Sequence, residues 1–201
     1  MPIALRMNLL CRACQTSNPL NGIGNEFTCY HCSEVNLLDL KFWSWFLNPD
    51  VFARARALPP SEEGRSGRIM PVCTVIFSSG PAKCGNCAGE LPTDALLESA
   101  AAGRCFCPSC GQPVPVRAAD ELLRALDPRA QVIVGESLGG GAVENATAPV
   151  VFGCMACGGA LRVDGSSRTA ECTYCTASNY LPDALWRQLH PVPKPHDIYV
   201  V

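Results

Sequence analysis

Cys154-Met155-Ala156-Cys157-Gly158-Gly159, with Cys172-Thr173-Tyr174-Cys175 after a gap of 14 residues, decides how this chain is read. Two Cys-x-x-Cys pairs supply four thiols, enough to surround one tetrahedral metal ion, and the gap suits an antiparallel hairpin that brings the pairs together. Ala160-Leu161-Arg162-Val163, an Asp164-Gly165 turn and Arg168-Thr169-Ala170-Glu171 predict two short strands in that gap, one for each pair. The device occurs twice more, as Cys11/Cys14 with Cys29/Cys32 and as Cys84/Cys87 with Cys107/Cys110. Of 14 cysteines, 12 are thus assigned to three metal sites, and Cys73 and Cys105 are left over. Both read as buried apolar thiols, although Cys105, two residues before Cys107, is placed to compete as a ligand.

The rest of the composition fits this scheme. In 201 residues, 17 Gly and 17 Pro cut the chain into segments that read as too short to share one large core, so small linked modules are expected. Each module is about 40 residues, a size that usually needs a metal or another staple to fold. Repeated local pairing is unlike a disulfide framework, and the first ten residues carry an early Arg6 and no leader-length apolar run. No stretch approaches the ~20 apolar residues of a membrane span. A soluble, cytoplasmic protein in a reducing compartment is the expectation. A divalent ion with four thiolates carries −2, so three such sites take the formal −2 of the chain to about −8. That balance disfavours non-specific attraction to nucleic acid.

Read in order, the chain falls into a first module (1–58), a linker (59–70), a second module (71–138), a flexible linker (139–149) and a third module (150–201). In the first, Asn21-Gly22 suggests a hairpin tip, and Leu37-Leu38-Asp39-Leu40-Lys41-Phe42-Trp43-Ser44-Trp45-Phe46-Leu47 predicts a helix apolar on more than one face, stopped by Asn48-Pro49. In the second, Val72-Cys73-Thr74-Val75-Ile76-Phe77 reads as a strand. Its cysteine gap is 19 residues and predicts a helix over 94–102, with Thr93 as N-cap and Gly103 as stop. A second helix is predicted over 120–126 and a strand at Gln131-Val132-Ile133-Val134. In the third, Pro182 opens a helix that ends at Leu189, and Ile198-Tyr199-Val200-Val201 reads as a strand. Each module closes its helix with Leu-x-Pro (Leu47-Asn48-Pro49, Leu126-Asp127-Pro128, Leu189-His190-Pro191), whose Pro lies 17, 18 and 16 residues after the last cysteine. Duplication is the simplest account.

On these motifs, and on Cys107-Pro108-Ser109-Cys110-Gly111 in particular, the chain resembles the zinc-ribbon group with rubredoxin-like knuckles. The resemblance implies a small, metal-stabilised α+β fold of three tandem zinc-ribbon modules, each followed by a short helix and a short strand, holding three Zn2+ per chain. It covers the ribbons only. Ribbons of this group usually bind a macromolecule.

An enzyme would need a reactive group outside the metal sites, because four thiolates leave no open position. His31 lies inside a knuckle and His190 and His196 near a helix end and the C-terminus, so the chain reads as non-enzymatic, with no small-molecule substrate and no membrane partner. The first functional reading is a scaffold or adaptor for another protein, with Phe42, Trp43, Trp45, Phe46 and Trp186 as candidate anchors. The alternative is a transcription- or translation-associated nucleic-acid-binding protein contacting its partner through Arg54, Arg56, Arg65 and Arg68. A third is an iron-loaded, rubredoxin-like electron carrier.

Overall fold

A computed structural model describes residues 1–60, 62–66, 72–137, 150–163, 165, 167–189, 191 and 193–201. The Gly139-Gly140-Gly141 joint, Asp164, Arg68 and His190 lie outside the described residues. The chain gathers into two compact units, Met1–Gly140 with Lys194–Val201, and Gly141–Pro193. The first two cysteine modules therefore belong to one body, completed by the C-terminal strand.

Unit 1 begins with β1 (Ile3–Leu10), β2 (Ser17–Leu20), β3 (Glu26–Thr28), β4 (Val35–Leu37), α1 (Leu40–Phe46), α2 (Pro49–Ala57), β5 (Glu63–Ser66) and β6 (Cys73–Ser79). It continues with β7 (Ala82–Lys83), β8 (Glu90–Leu91), α3 (Thr93–Glu98), β9 (Arg104–Phe106), β10 (Pro113–Ala118), α4 (Glu121–Leu126) and β11 (Val132–Val134). Unit 2 holds β12 (Val150–Gly153), β13 (Ala160–Val163), β14 (Thr169–Glu171), β15 (Ser178–Tyr180) and α5 (Asp183–Leu189), after which β16 (Ile198–Val200) returns to unit 1.

An eight-stranded antiparallel sheet in the order β5-β6-β1-β16-β11-β10-β9 organises unit 1, with β2 also paired to β1. Strand β1 alternates strictly, burying Ile3, Leu5, Met7 and Leu9. It pairs with β6 from Ile3↔Ser79 to Leu9↔Cys73, with β16 through its first half and with β2 through its second. The apolar runs at 132–134 and 198–200 are continuous because both faces of these strands are covered. Ile133, Ile198 and Val200 join a core beneath α1, α2 and α4, while Val132, Val134 and Tyr199 join a second cluster with Leu96 of α3.

The first of these cores runs from Ile3 to Val200, contrary to the expectation that Gly- and Pro-broken segments share no large core. Antiparallel pairing between segments remote in sequence joins what local punctuation separates. All twelve of the largest fully buried side chains among the described residues lie in unit 1, each worth ~1.5–3 kcal/mol against exposure. Polar ties lock its halves. Arg117, beside Asp120 at 2.8 Å and paired to Glu136, donates to the Ile23 carbonyl at 2.9 Å, and Glu136 accepts from the Ile23 N–H at 2.7 Å. The Trp43 indole donates to the Gly24 carbonyl at 2.8 Å.

Asn48-Pro49 stops the first helix, as expected, and also begins a second. Helix α1, capped by Asp39, ends at Phe46 with Leu47 as its C-cap; the Asn48 side chain then accepts from the Asp50 and Val51 N–H groups, and Pro49 takes the first position of α2, where its missing N–H costs nothing. Arg54 and Arg56 consequently stand on a helix, and residues 63–66, expected within a linker, form β5 along the edge of β6. Helix α3 starts at Thr93 with Pro92 at its cap and no side-chain cap bond, and it stops at Glu98, short of the predicted 102.

The strands around the cysteines also pair differently from expectation. In the third module β13 pairs with β12 and β14 with β15, so the two strands of the 14-residue gap belong to different hairpins. The other modules repeat this: β1–β2, β3–β4, β7–β8 and β9–β10 each flank one knuckle. Every knuckle is the tip of its own hairpin.

Unit 2 has little apolar interior. Cys154, Leu161 and Cys172 form one cluster and Val163, Leu181 and Trp186 another, with Phe152 packed against both. Arg168 ties α5 to the second hairpin. Its guanidinium lies 4.9 Å from the Trp186 ring centre and donates to the Tyr180 hydroxyl at 2.7 Å and to Asp183 at 2.5 Å.

Candidate metal centres

All six knuckles share one backbone design. The residue after the second cysteine (Gln15, Ser33, Ala88, Gly111, Gly158 or Thr176) is left-handed, with φ between 58° and 73°. Its N–H bonds back to the carbonyl of the first cysteine, as in Gln15 to Cys11 at 3.0 Å and Thr176 to Cys172 at 2.8 Å. The N–H of the first cysteine bonds to the carbonyl five residues on, as in Cys154 to Gly159 at 2.8 Å. Only two of the six positions carry the glycine that this conformation favours, so the other four hold an L-residue against its preference.

Two such tips face each other in each site. Cys11 lies 3.6 Å from Cys32 and Cys14 3.7 Å from Cys29; Cys84 lies 3.8 Å from Cys110 and Cys87 3.6 Å from Cys107; Cys154 lies 3.7 Å from Cys175 and Cys157 3.7 Å from Cys172. The four sulfurs of every site fall within 4.8 Å of one another. A sulfur tetrahedron with metal bonds of ~2.3 Å has edges of about 3.8 Å, whereas a disulfide needs about 2.05 Å. The donor set therefore fits a four-thiolate metal ion at three sites: Cys11, Cys14, Cys29, Cys32; Cys84, Cys87, Cys107, Cys110; and Cys154, Cys157, Cys172, Cys175. In each knuckle the first cysteine is buried and the second nearer the surface.

The thiols of one site do not titrate alike. Burial opposes it, yet the Thr16 hydroxyl and N–H hold Cys14 at about 6. The Gln112 N–H and the Asn86 carboxamide bring Cys110 to about 6, and the Cys157 N–H does the same for Cys154. Burial, then the neighbouring thiols, push Cys32 up to about 12. Against the pull of the Gly89 and Ala177 N–H groups, sulfur neighbours raise Cys87 and Cys175 to about 12. A site without metal thus holds protons that an incoming ion must displace.

Three asparagines missed in the sequence bind these tips together. The Asn18 side-chain oxygen accepts from the Tyr30 N–H at 3.1 Å, that of Asn36 from Arg12 at 3.0 Å and that of Asn179 from Met155 at 2.8 Å. Each thereby reaches the residue after the first cysteine of the opposite knuckle. The signal was present as Cys-x-x-Cys-x-x-x-Asn, in which the asparagine follows the second cysteine by four positions.

Of the candidate anchors, Trp43, Phe46 and Trp186 are buried in the cores and Phe42 packs partly against them, leaving Trp45 half exposed. Trp45 and Phe42 line a cleft of about 530 Å3 with Leu10, Val72, Arg12 and Lys41. Of the candidate arginines, Arg54 is exposed above the Phe77 ring, Arg65 is exposed on β5, and Arg56 is paired with the buried Asp127 of α4. Arg68 falls outside the described residues. Cys73 is fully buried, and burial pushes its thiol up to about 12; Cys105 is buried and donates to the Phe106 carbonyl. Among the described residues, no helix is long and apolar enough to cross a membrane. No protein-family model, no curated protein and no solved structure matches this chain.

Proposed function

We propose that this chain is a non-enzymatic zinc-binding scaffold that docks another protein through the Trp45 cleft. The observation that carries the metal half is the set of three closed, tetrahedrally spaced thiol clusters at hairpin tips. Hard cations prefer oxygen, and among thiolate-binding ions zinc suits a regular four-sulfur tetrahedron. Four thiolates leave no position for substrate, so the role of each ion is structural. Twelve thiols held at metal spacing suit a reducing compartment such as the cytoplasm. The docking half rests on Trp45, a large amphipathic side chain left half exposed beside Leu10 and Val72, in a cleft whose charged lining, Arg12 and Lys41 with Asp39, is basic on balance. Such an arrangement suits a partner segment with an apolar anchor and acidic flanks.

Nucleic-acid binding has less to rest on, since Arg56 is committed to Asp127. Elemental analysis of purified protein tests the metal reading: three zinc per chain is expected, and iron or fewer ions would overturn it. For the partner, a photoreactive side chain in place of Trp45 should crosslink a protein in cells, and Trp45→Ala should abolish capture by the full chain with no change in melting temperature. Steeply salt-dependent binding to DNA or RNA, unaffected by Trp45→Ala, would instead establish the alternative.

A further inference from the structure

We propose that Asn18, Asn36 and Asn179 are positioning residues for the bound metal, carboxamide clamps that hold the two knuckles of a site at thiolate spacing and slow loss of the ion. The inference rests on the metal-binding reading and goes beyond it to this chain's own residues. In sites 1 and 3 no strand ladder joins the two hairpins that face each other: β3–β4, β12–β13 and β14–β15 are separate two-stranded sheets. Strand pairing therefore does not set the spacing of the two tips. The asparagines span that gap in the same way each time. While the oxygen accepts from the opposite knuckle, the side-chain nitrogen donates to the Thr16, Glu34 or Ala177 carbonyl, at 2.7, 3.0 and 2.8 Å. Each of those carbonyls already holds the N–H of the first cysteine of its own knuckle. One carboxamide therefore fixes both tips by their backbone, and all three are 3 % exposed, a burial that polar groups tolerate only when fully partnered. Asn36 also donates to the Cys11 sulfur at 3.6 Å.

Site 2 supplies the internal contrast. The equivalent positions are Leu91 and Val114, and the residue that Leu91 would have to clamp is Pro108, which has no N–H to give. An asparagine there would bury an orphaned oxygen. Site 2 instead hangs on the cluster that contains Leu91, Leu96 and Val114. Site 1 is clamped from both sides; site 3 has one clamp, and Leu161 holds the position, four after Cys157, where a second would stand.

The test uses the full chain loaded with cadmium-113, whose three resonances report the sites separately, and challenged with EDTA. Asn179→Leu should release the site 3 ion about 10- to 100-fold faster, the range for loss of an outer-shell partner of a metal ligand, with the other two ions unaffected. Amide exchange at Met155 should accelerate in step. Leu161→Asn added to that variant supplies a clamp from the other side, toward the Thr173 N–H, and should restore slow release. If Asn179→Leu fails to load site 3, Asn36→Leu asks the same question inside the large core of unit 1, where Asn18 remains: release about tenfold faster at site 1 alone is expected. Unchanged release, or faster loss of all three ions together, overturns the proposal. A wild-type chain that takes up fewer than three ions overturns the metal reading instead.

Discussion

Replacing Arg56 by Met tests whether the first module and the second are one folding body. Arg56 on α2 pairs with Asp127 at the end of α4, whose side chain is only 3 % exposed against 24 % for the arginine. Removing one partner of a fully buried pair costs roughly 3–5 kcal/mol, most of it from the stranded charge. Because the arginine is partly wetted, about 2–3 kcal/mol is expected here. For a body of this size that corresponds to a fall of about 4–12 °C in melting temperature. The assay is urea denaturation of the metal-saturated chain, with Arg54→Met as control. Arg54 is exposed, and its contact is the Phe77 ring 5.4 Å away, so the control should cost about 0.5–1 kcal/mol. Asp127→Asn added to Arg56→Met removes the stranded charge while still accepting from the Arg129 N–H, and should recover part of the loss, giving a coupling of about 1–2 kcal/mol. Equal effects of the two arginine variants, or no recovery in the double variant, would refute the reasoning.

Chelation should divide the molecule: amide protection is expected to persist in β1, β6, β11 and β16 and to vanish across 150–189, where the apolar interior is small; hydrogen exchange with mass spectrometry reads this, and uniform loss of protection would contradict it. Thr176→Gly relieves a β-branched residue at φ 59° and should stabilise unit 2 by up to about 1 kcal/mol, measured as a higher chelator concentration for half-release. At pH 8 each site retains a thiol near 12 (Cys32, Cys87, Cys175), so zinc loading should release at least one proton per site; calorimetry in buffers of different ionisation enthalpy would show heats that vary with the buffer. As pH falls through about 6, Cys14, Cys110 and Cys154 take up protons as well, and retention of metal should drop over that range in a chelator titration.

Most of the metal centres was legible, because the Cys-x-x-Cys spacing is local and the tip geometry follows from a few backbone bonds. The asparagine clamps were not, since each acts across to a knuckle 12 to 24 residues away and four-residue spacing from a cysteine carries no periodic signal. Helices with strong caps, such as α4 after Asp120, stood out in the sequence. Helix α2 was hidden because Asn-Pro serves equally as a stop and as a cap followed by a first helical residue. Strand β1 shows clean alternation at Ile3, Leu5, Met7 and Leu9, but its partners β6 and β16 lie some 70 and 195 residues on, and pairing at that range leaves no local trace. The large core of unit 1 was unreadable for the same reason.

The antiparallel neighbours β11 and β16 meet at Val134↔Tyr199, so residues 135–197 amount to the loop of a single hairpin. The third cysteine module is an insertion carried within that loop. None of the strand registers of the host sheet involves a residue of 141–193. The same doorway can admit a different passenger, which makes this hairpin the natural place to exchange one inserted module for another.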